Sequence, residues 1–335
     1  GIILCVIGIS PRDISIYMSI WNIPTQRISN SHQLKSNLKW NKHATTIAGG
    51  NMPGNKLNQL EHSKGIYIDY QQKSIYIADF GNHRIVKWKL GENKGQVVAG
   101  GNGSGNRIDQ LTTPTTMIVD QKNKFLIISD YGNRRVVQWS LENQQDKRIL
   151  IENIDCVGLM MNENGDLFVS DDKTDEVKRW RKGEKKGTIV AGGNGRGDQL
   201  HQLNNPTFIF IDRHDTLYIS DWGNSRVMKW MNDSREGTVV AGGHGFGNGL
   251  EQLSRPNGLI VNEIGDVYVV DSNNCRIVCW PLTSKQGLII IGERGRGEKS
   301  DQLNVPIGLA FDQENNLYIA DFSNHRIQRF DVDKN

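Results

Sequence analysis

Short apolar runs broken by turn residues dominate the chain, and no stretch holds the 3.6-residue period of an amphipathic helix. In one representative stretch this pattern predicts four strands, Gly65 to Asp69, Ile75 to Asp79, Arg84 to Leu90 and Gln96 to Gly100, separated by YQQK, FGNH and GENK. The second run recurs as IYIAD, LIISD, LFVSD, LYISD, VYVVD and LYIAD, ending at Asp79, Asp130, Asp171, Asp221, Asp271 and Asp321. Intervals of 51, 41, 50, 50 and 50 residues separate these aspartates. Strand repeats of this period indicate propeller blades. A single four-stranded unit is too small to stand alone, whereas radial stacking covers both faces of every sheet and leaves short edges. The expected fold is all-β: a six-bladed β-propeller of four-stranded antiparallel blades.

The last unit supplies three strands and ends in RIQRFDV, while ATTIAGG at Ala44 to Gly50 is a fourth strand without a unit. The N-terminal strand is therefore expected to pair with the C-terminal blade and close the ring. Residues 41–335 form the propeller in this reading, preceded by a non-repeat tether over residues 1–40. Trp88, Trp139, Trp180, Trp230, Trp280 and Phe330 recur at one place in the third strand, with Trp40 in the same register before the orphan strand. Each of these rings can bury roughly 150 to 250 Å², which favours packing over cofactor stacking.

The stretch GGNGRGDQLHQL from Gly192 has siblings in GGNMPGNKLNQL, GGNGSGNRIDQL, GGHGFGNGLEQL and GERGRGEKSDQL. A dinucleotide fingerprint needs a third glycine and a following helix, and neither is present. The Arg196-Gly197-Asp198 triplet stands in register with Ser104-Gly105-Asn106 and Phe246-Gly247-Asn248, so repeat drift explains it without an adhesion role. What is left is a spoke between blades, with Leu60, Leu111, Leu203, Leu253 and Leu303 anchoring its return to the axis.

The 335 residues carry a formal net charge of +3, too mild to name a polyanionic partner. Cys5, Cys156, Cys275 and Cys279 lack zinc-site spacing and are read as idle or buried thiols. The apolar opening GIILCVIGIS reads either as the end of a signal-peptide core or as a lead segment. Secretion or membrane tethering follows from the first, a cytoplasmic location from the second. The sequons at Asn102 and Asn232 matter only in a secreted protein.

The unit Pro-x-Gly-apolar, apolar-Tyr-apolar-x-Asp, x-x-Asn-x-Arg-Ile resembles the NHL repeat, whose signature is spelled by Asn82-His83-Arg84-Ile85 and Asn324-His325-Arg326-Ile327. The resemblance spans Ala44 to Asn335 and implies a six-bladed, non-catalytic platform for protein or RNA ligands. Such propellers also form the C-terminal part of TRIM-type ubiquitin ligases, occur as extracellular sensors, and are related to a peptide-amidating lyase. This chain has no RING or B-box, so a ligase role could enter only by association.

Residues shared by every copy serve every blade, whereas a binding site is used once and lies where copies differ. The Asp and Arg five residues apart (Asp79 and Arg84, Asp130 and Arg135, Asp221 and Arg226, Asp271 and Arg276, Asp321 and Arg326) are read as surface pairs setting loop geometry, each contributing about 0 to 1 kcal/mol. Strand alternation places the loop between second and third strands at the same end as the spokes. That face carries Arg84, Arg134, Arg135, Arg196, Arg226, Arg276, Arg294, Arg296 and Arg326, with Phe80, Tyr131, Trp222, Phe246, Phe322, His83 and His325. The arginines are either free for a ligand or neutralised by their own aspartates. A free set suits a protein or peptide first, single-stranded RNA second. A third reading is a metal-dependent lyase or hydrolase in the central channel. Blade 3 departs from the pattern, with Glu176 for the arginine, acidic Asp171, Asp172 and Asp175, and no preceding glycine loop. Its acidic loop lacks the spacing of a calcium loop. His83, Cys275 and His325 occupy equivalent places and form a tempting metal trio, but adjacent blades hold such loops too far apart for metal bonds near 2.0 to 2.3 Å. No cofactor is expected, and the propeller is expected to be monomeric.

Overall fold

The computed structural model describes residues 38–143 and 145–334; the non-repeat tether and Cys5 fall almost wholly outside them. Six separate four-stranded antiparallel sheets carry the chain. Blade 1 runs Ser63–Asp69, Ser74–Asp79, Arg84–Lys89 and Gln96–Gly100 from the axis outward. Blades 2 to 5 repeat that order, and blade 6 takes its outer strand, Thr45–Gly49, from the beginning of the repeat region. This strand is antiparallel to Arg326–Phe330, with Thr45 opposite Arg329 and Gly49 opposite Arg326, so the expected closure is found.

Apolar side chains on both faces of each sheet fill the clefts between blades. Trp88, Trp139, Trp180, Trp230, Trp280 and Phe330 are all buried. Trp40 is buried too, edge-on to Tyr268 and tilted against Phe311, and its Nε1 donates to the Asn315 carbonyl at 2.8 Å. It packs as part of the closing blade. Neighbouring inner strands approach closely at the axis because small residues let them: a Cβ on Gly308 would collide with the carbonyl of Lys64. Cys156, Cys275 and Cys279 are buried free thiols. Among the described residues no helix is long and apolar enough to cross a membrane.

Candidate binding face

Four of the aspartates that end a second strand are followed by a single 3-10 turn, as at Phe80–Asn82, and those of blades 3 and 5 by an ordinary turn; in every blade a residue with positive φ comes next, such as His83 at 54°. The turn folds the following arginine back over the aspartate. In all five copies Arg Nε donates to the inner carboxylate oxygen at 2.7 Å. The other oxygen accepts a spoke amide, also at 2.7 Å, from Glu61, Thr112, Asn204, Ser254 or Asn304. The guanidinium uses four of its five N–H donors. Arg226 also donates to the carbonyls of Asp198, Gln199 and Gln202, and the equivalents of Arg226 do the same to their own spokes. The spoke is thus tied by an arginine above and anchored by a leucine below, since Leu60, Leu111, Leu203, Leu253 and Leu303 are fully buried.

This geometry corrects two expectations. Arg84, Arg135, Arg226 and Arg276 are buried, and Arg326 is nearly so on its side chain, so these pairs are interior clamps and not surface pairs, and these five arginines are not available to a ligand. A buried pair also has different energetics: removing one partner strands a charge and costs about 3 to 5 kcal/mol. His83, Cys275 and His325, already set aside as metal ligands, are blade joints. His83 Nδ1 accepts the Thr113 amide at 3.0 Å, His325 Nδ1 accepts the His62 amide at 3.1 Å, and Cys275 Sγ accepts the Val305 amide at 3.4 Å. Asp175 plays the same part for Asn205. Among the described residues no three His, Cys, Asp or Glu side chains are grouped to hold a metal ion.

The other predicted residues fall into two groups. Arg134 pairs with Asp155, Arg196 with Asp175 and Arg294 with Asp301, while the Arg296 guanidinium has no partner among the described residues. Phe246 is 67% exposed on its spoke. Phe80, Tyr131, Trp222 and Phe322 instead occupy one position, the residue after the aspartate, and are all half-buried. Side chains at this position meet across neighbouring blades, the Phe80 and Phe322 ring centres lying 6.3 Å apart. Blades 3 and 5 place Asp172 and Ser272 there.

This ring surrounds the mouth of the central channel, and the sequence reading missed its polar members. The half-buried Lys64 places its Nζ 4.1 Å from the centre of the Phe80 ring, and Arg255 stands 4.5 Å from the centre of the Trp222 ring. Tyr131 Oη donates to Asp172 Oδ2 at 3.2 Å. His62 packs against Phe322 and His325, with ring centres 4.6 and 4.4 Å apart. Burial pushes the Asp172 carboxyl up to about 6, helped by Asp155 and Asp171 and opposed by the Tyr131 hydrogen bond. Burial also brings the Lys64 ammonium down to about 8, against the attraction of Asp172. A signal for both was present in the sequence, since Lys64 and Asp172 each stand alone at their positions among six copies. At the opposite end of the channel, a cavity of about 290 Å³ is lined by Tyr67, Met160, Phe210, Asn162 and Asp215.

Comparisons with known proteins agree with this architecture. The NHL repeat family model matches residues 253–280 and 303–330. An auxiliary nutrient binding protein from Bacteroides thetaiotaomicron is similar in structure, at 16% identity and a TM-score of 0.67, over 87% of this chain and 76% of that one. A gluconolactonase from Xanthomonas campestris (13% identity, TM-score 0.61) and a streptogramin B lyase (11% identity, TM-score 0.53) are each similar over 87% of this chain and 98% of theirs. No curated protein matches the chain in sequence. At such identities the likeness concerns the fold, which serves binding proteins and enzymes alike. Six blades, the recurring Asp-x-x-Asn-x-Arg clamp and the two matched units make this chain a six-bladed β-propeller with NHL repeats at residues 253–280 and 303–330.

Proposed function

We propose that this propeller is a binding platform for a protein or peptide ligand, taken at the axial mouth of the loop face. The observation that carries this reading is the ring after the aspartates. Four aromatic residues, one carboxylate and one serine replace each other around the axis, while the repeat-wide arginines are spent inside the molecule. Aromatic faces offer apolar area at low entropic cost, and Lys64 and Asp172 supply opposite charges that orient a side chain or a chain end.

Single-stranded RNA fits this mouth less well. Asp155, Asp171 and Asp172 repel phosphates there, and Lys64 and Arg255 already lie over two of the faces on which bases would stack. The test is selection of ligands from a random peptide library displayed on phage. Selected peptides are expected to lose about tenfold or more in affinity with Trp222→Ala and with Lys64→Ala, at unchanged melting temperature. Affinity should also be greatest between pH 6 and 8, where Asp172 is ionised and Lys64 is charged. Peptides that bind both variants as well as the wild type would refute the mouth as the site.

A further inference from the structure

The junction between blades 2 and 3 differs from the other five. The interval there is 41 residues, and a three-residue turn, Asn153 to Asp155, replaces the spoke. Ile154 N donates to the Arg134 carbonyl, doing alone what Gly101, Gly193 and Gly243 do where a spoke begins. No spoke then lies along the flank of blade 3.

At four junctions a spoke carbonyl accepts the amide of the residue that enters the outer strand: Leu57 from Gly95, Leu200 from Gly237, Leu250 from Gly287 and Ser300 from Ala44, at 2.7 to 2.9 Å. Gly187 holds that place in blade 3, and its amide has no such partner. The uncovered flank is an open notch of about 740 Å³, walled by Ile149, Ile154, Lys178, Trp180 and Gly187. Past Leu150 and Trp180 it meets a second cavity of about 380 Å³.

The charge beside the notch is also singular. The hairpin entering the outer strand of blade 3 reads RKGEKKG, with Arg181, Lys182, Lys185 and Lys186 against Glu184. The same hairpin in blade 4, MNDSREG, has one cation and two anions, and in blade 5, PLTSKQG, one cation. Lys182, Lys185 and Lys186 are exposed, and among the described residues none of them is in an ion pair.

From this coincidence we infer that the blade 2–3 notch is a second docking site, distinct from the axial mouth, for an acidic peptide segment of a partner protein. The segment lies where this chain elsewhere lays its own spoke. One of its carbonyls takes the Gly187 amide, an apolar residue covers the exposed Ile149, and its carboxylates face Lys185 and Lys186. A peptide segment is the occupant because a chain segment, the spoke, fills this groove elsewhere and gives the carbonyls of Leu57, Leu200, Leu250 and Ser300 to the outer strand at four junctions.

The test uses fluorescence anisotropy at low salt, with a short labelled peptide of alternating glutamate and serine around one central leucine. Binding is expected, weakened about tenfold or more by Lys185→Glu with Lys186→Glu and unaffected by Trp222→Ala, which separates this site from the mouth. A second variant inserts the blade 4 spoke in place of Glu152–Ile154 together with Glu176→Arg. It should fold with an equal or higher melting temperature and lose the peptide. The proposal is overturned if the peptide fails to bind, if the grafted variant binds it as before, or if an oligouridine binds more tightly and is lost with the same lysines.

Discussion

Blades 3 and 4 share four strands, the aspartate that ends the second strand and the buried tryptophan of the third, yet they treat the residue five places after that aspartate in opposite ways. In blade 4 it is Arg226, whose guanidinium donates to Asp221 and to three carbonyls of the spoke before it. In blade 3, which has no such spoke, it is Glu176, accepting the Thr174 hydroxyl at 2.7 Å and paired with Lys178. The aspartate adapts as well: Asp221 takes a spoke amide, while Asp171 takes the turn amides of Lys173 and Thr174. A buried guanidinium without carbonyls to receive its protons would cost more than it contributes, so arginine and spoke are kept or lost together. The recurring arginine of this repeat is a clasp for the incoming loop.

The largest effect expected from this comparison is on stability. Arg226→Ala should lower the unfolding free energy by about 3 to 5 kcal/mol in a urea titration, because it strands buried Asp221 and three spoke carbonyls. Glu176→Gln, at the equivalent place, should cost about 1 kcal/mol or less, since no spoke depends on it. Equal costs would mean that the arginine acts through its aspartate alone.

A smaller effect is expected at the mouth, where blade 3 presents Asp172 and blade 4 presents Trp222. The folded-state carboxyl of Asp172 titrates near 6, above its ordinary value of 3.8, so burial opposes its ionisation. The resulting penalty is full above pH 6 and vanishes below about 4. Asp172→Asn should therefore raise the melting temperature by about 1 to 3 °C at pH 8 and leave it unchanged at pH 3.5, read by circular dichroism. A gain that persists at pH 3.5 would assign the effect to something other than the charge.

The period, the blade count and the closing strand were legible because they rest on spacing, which a linear sequence displays directly. The strands expected in blade 1 differ from those found by two residues at most, counting Ser63 for Gly65 at the inner strand. What spacing does not display is what wraps a side chain. Arg84 and its equivalents stand next to turn residues in the sequence, and only the return of a spoke some 25 to 29 residues earlier encloses them. The spoke–arginine link was nonetheless encoded in blade 3, where both disappear at once. Lys64 escaped notice because it sits near the start of an inner strand, Ser63–Asp69, read as packing, where its single appearance among six copies was the signal.

The central claim is that repeat-wide residues hold spokes and that binding is left to positions where copies differ. Its most direct test is a double-mutant cycle in blade 4, combining Arg226→Glu with deletion of the spoke residues Asn194–Gln202, with unfolding free energies measured in urea. The account predicts that Arg226→Glu costs about 3 kcal/mol or more with the spoke present and about 1 kcal/mol or less once it is gone. The same cost in both backgrounds would contradict it.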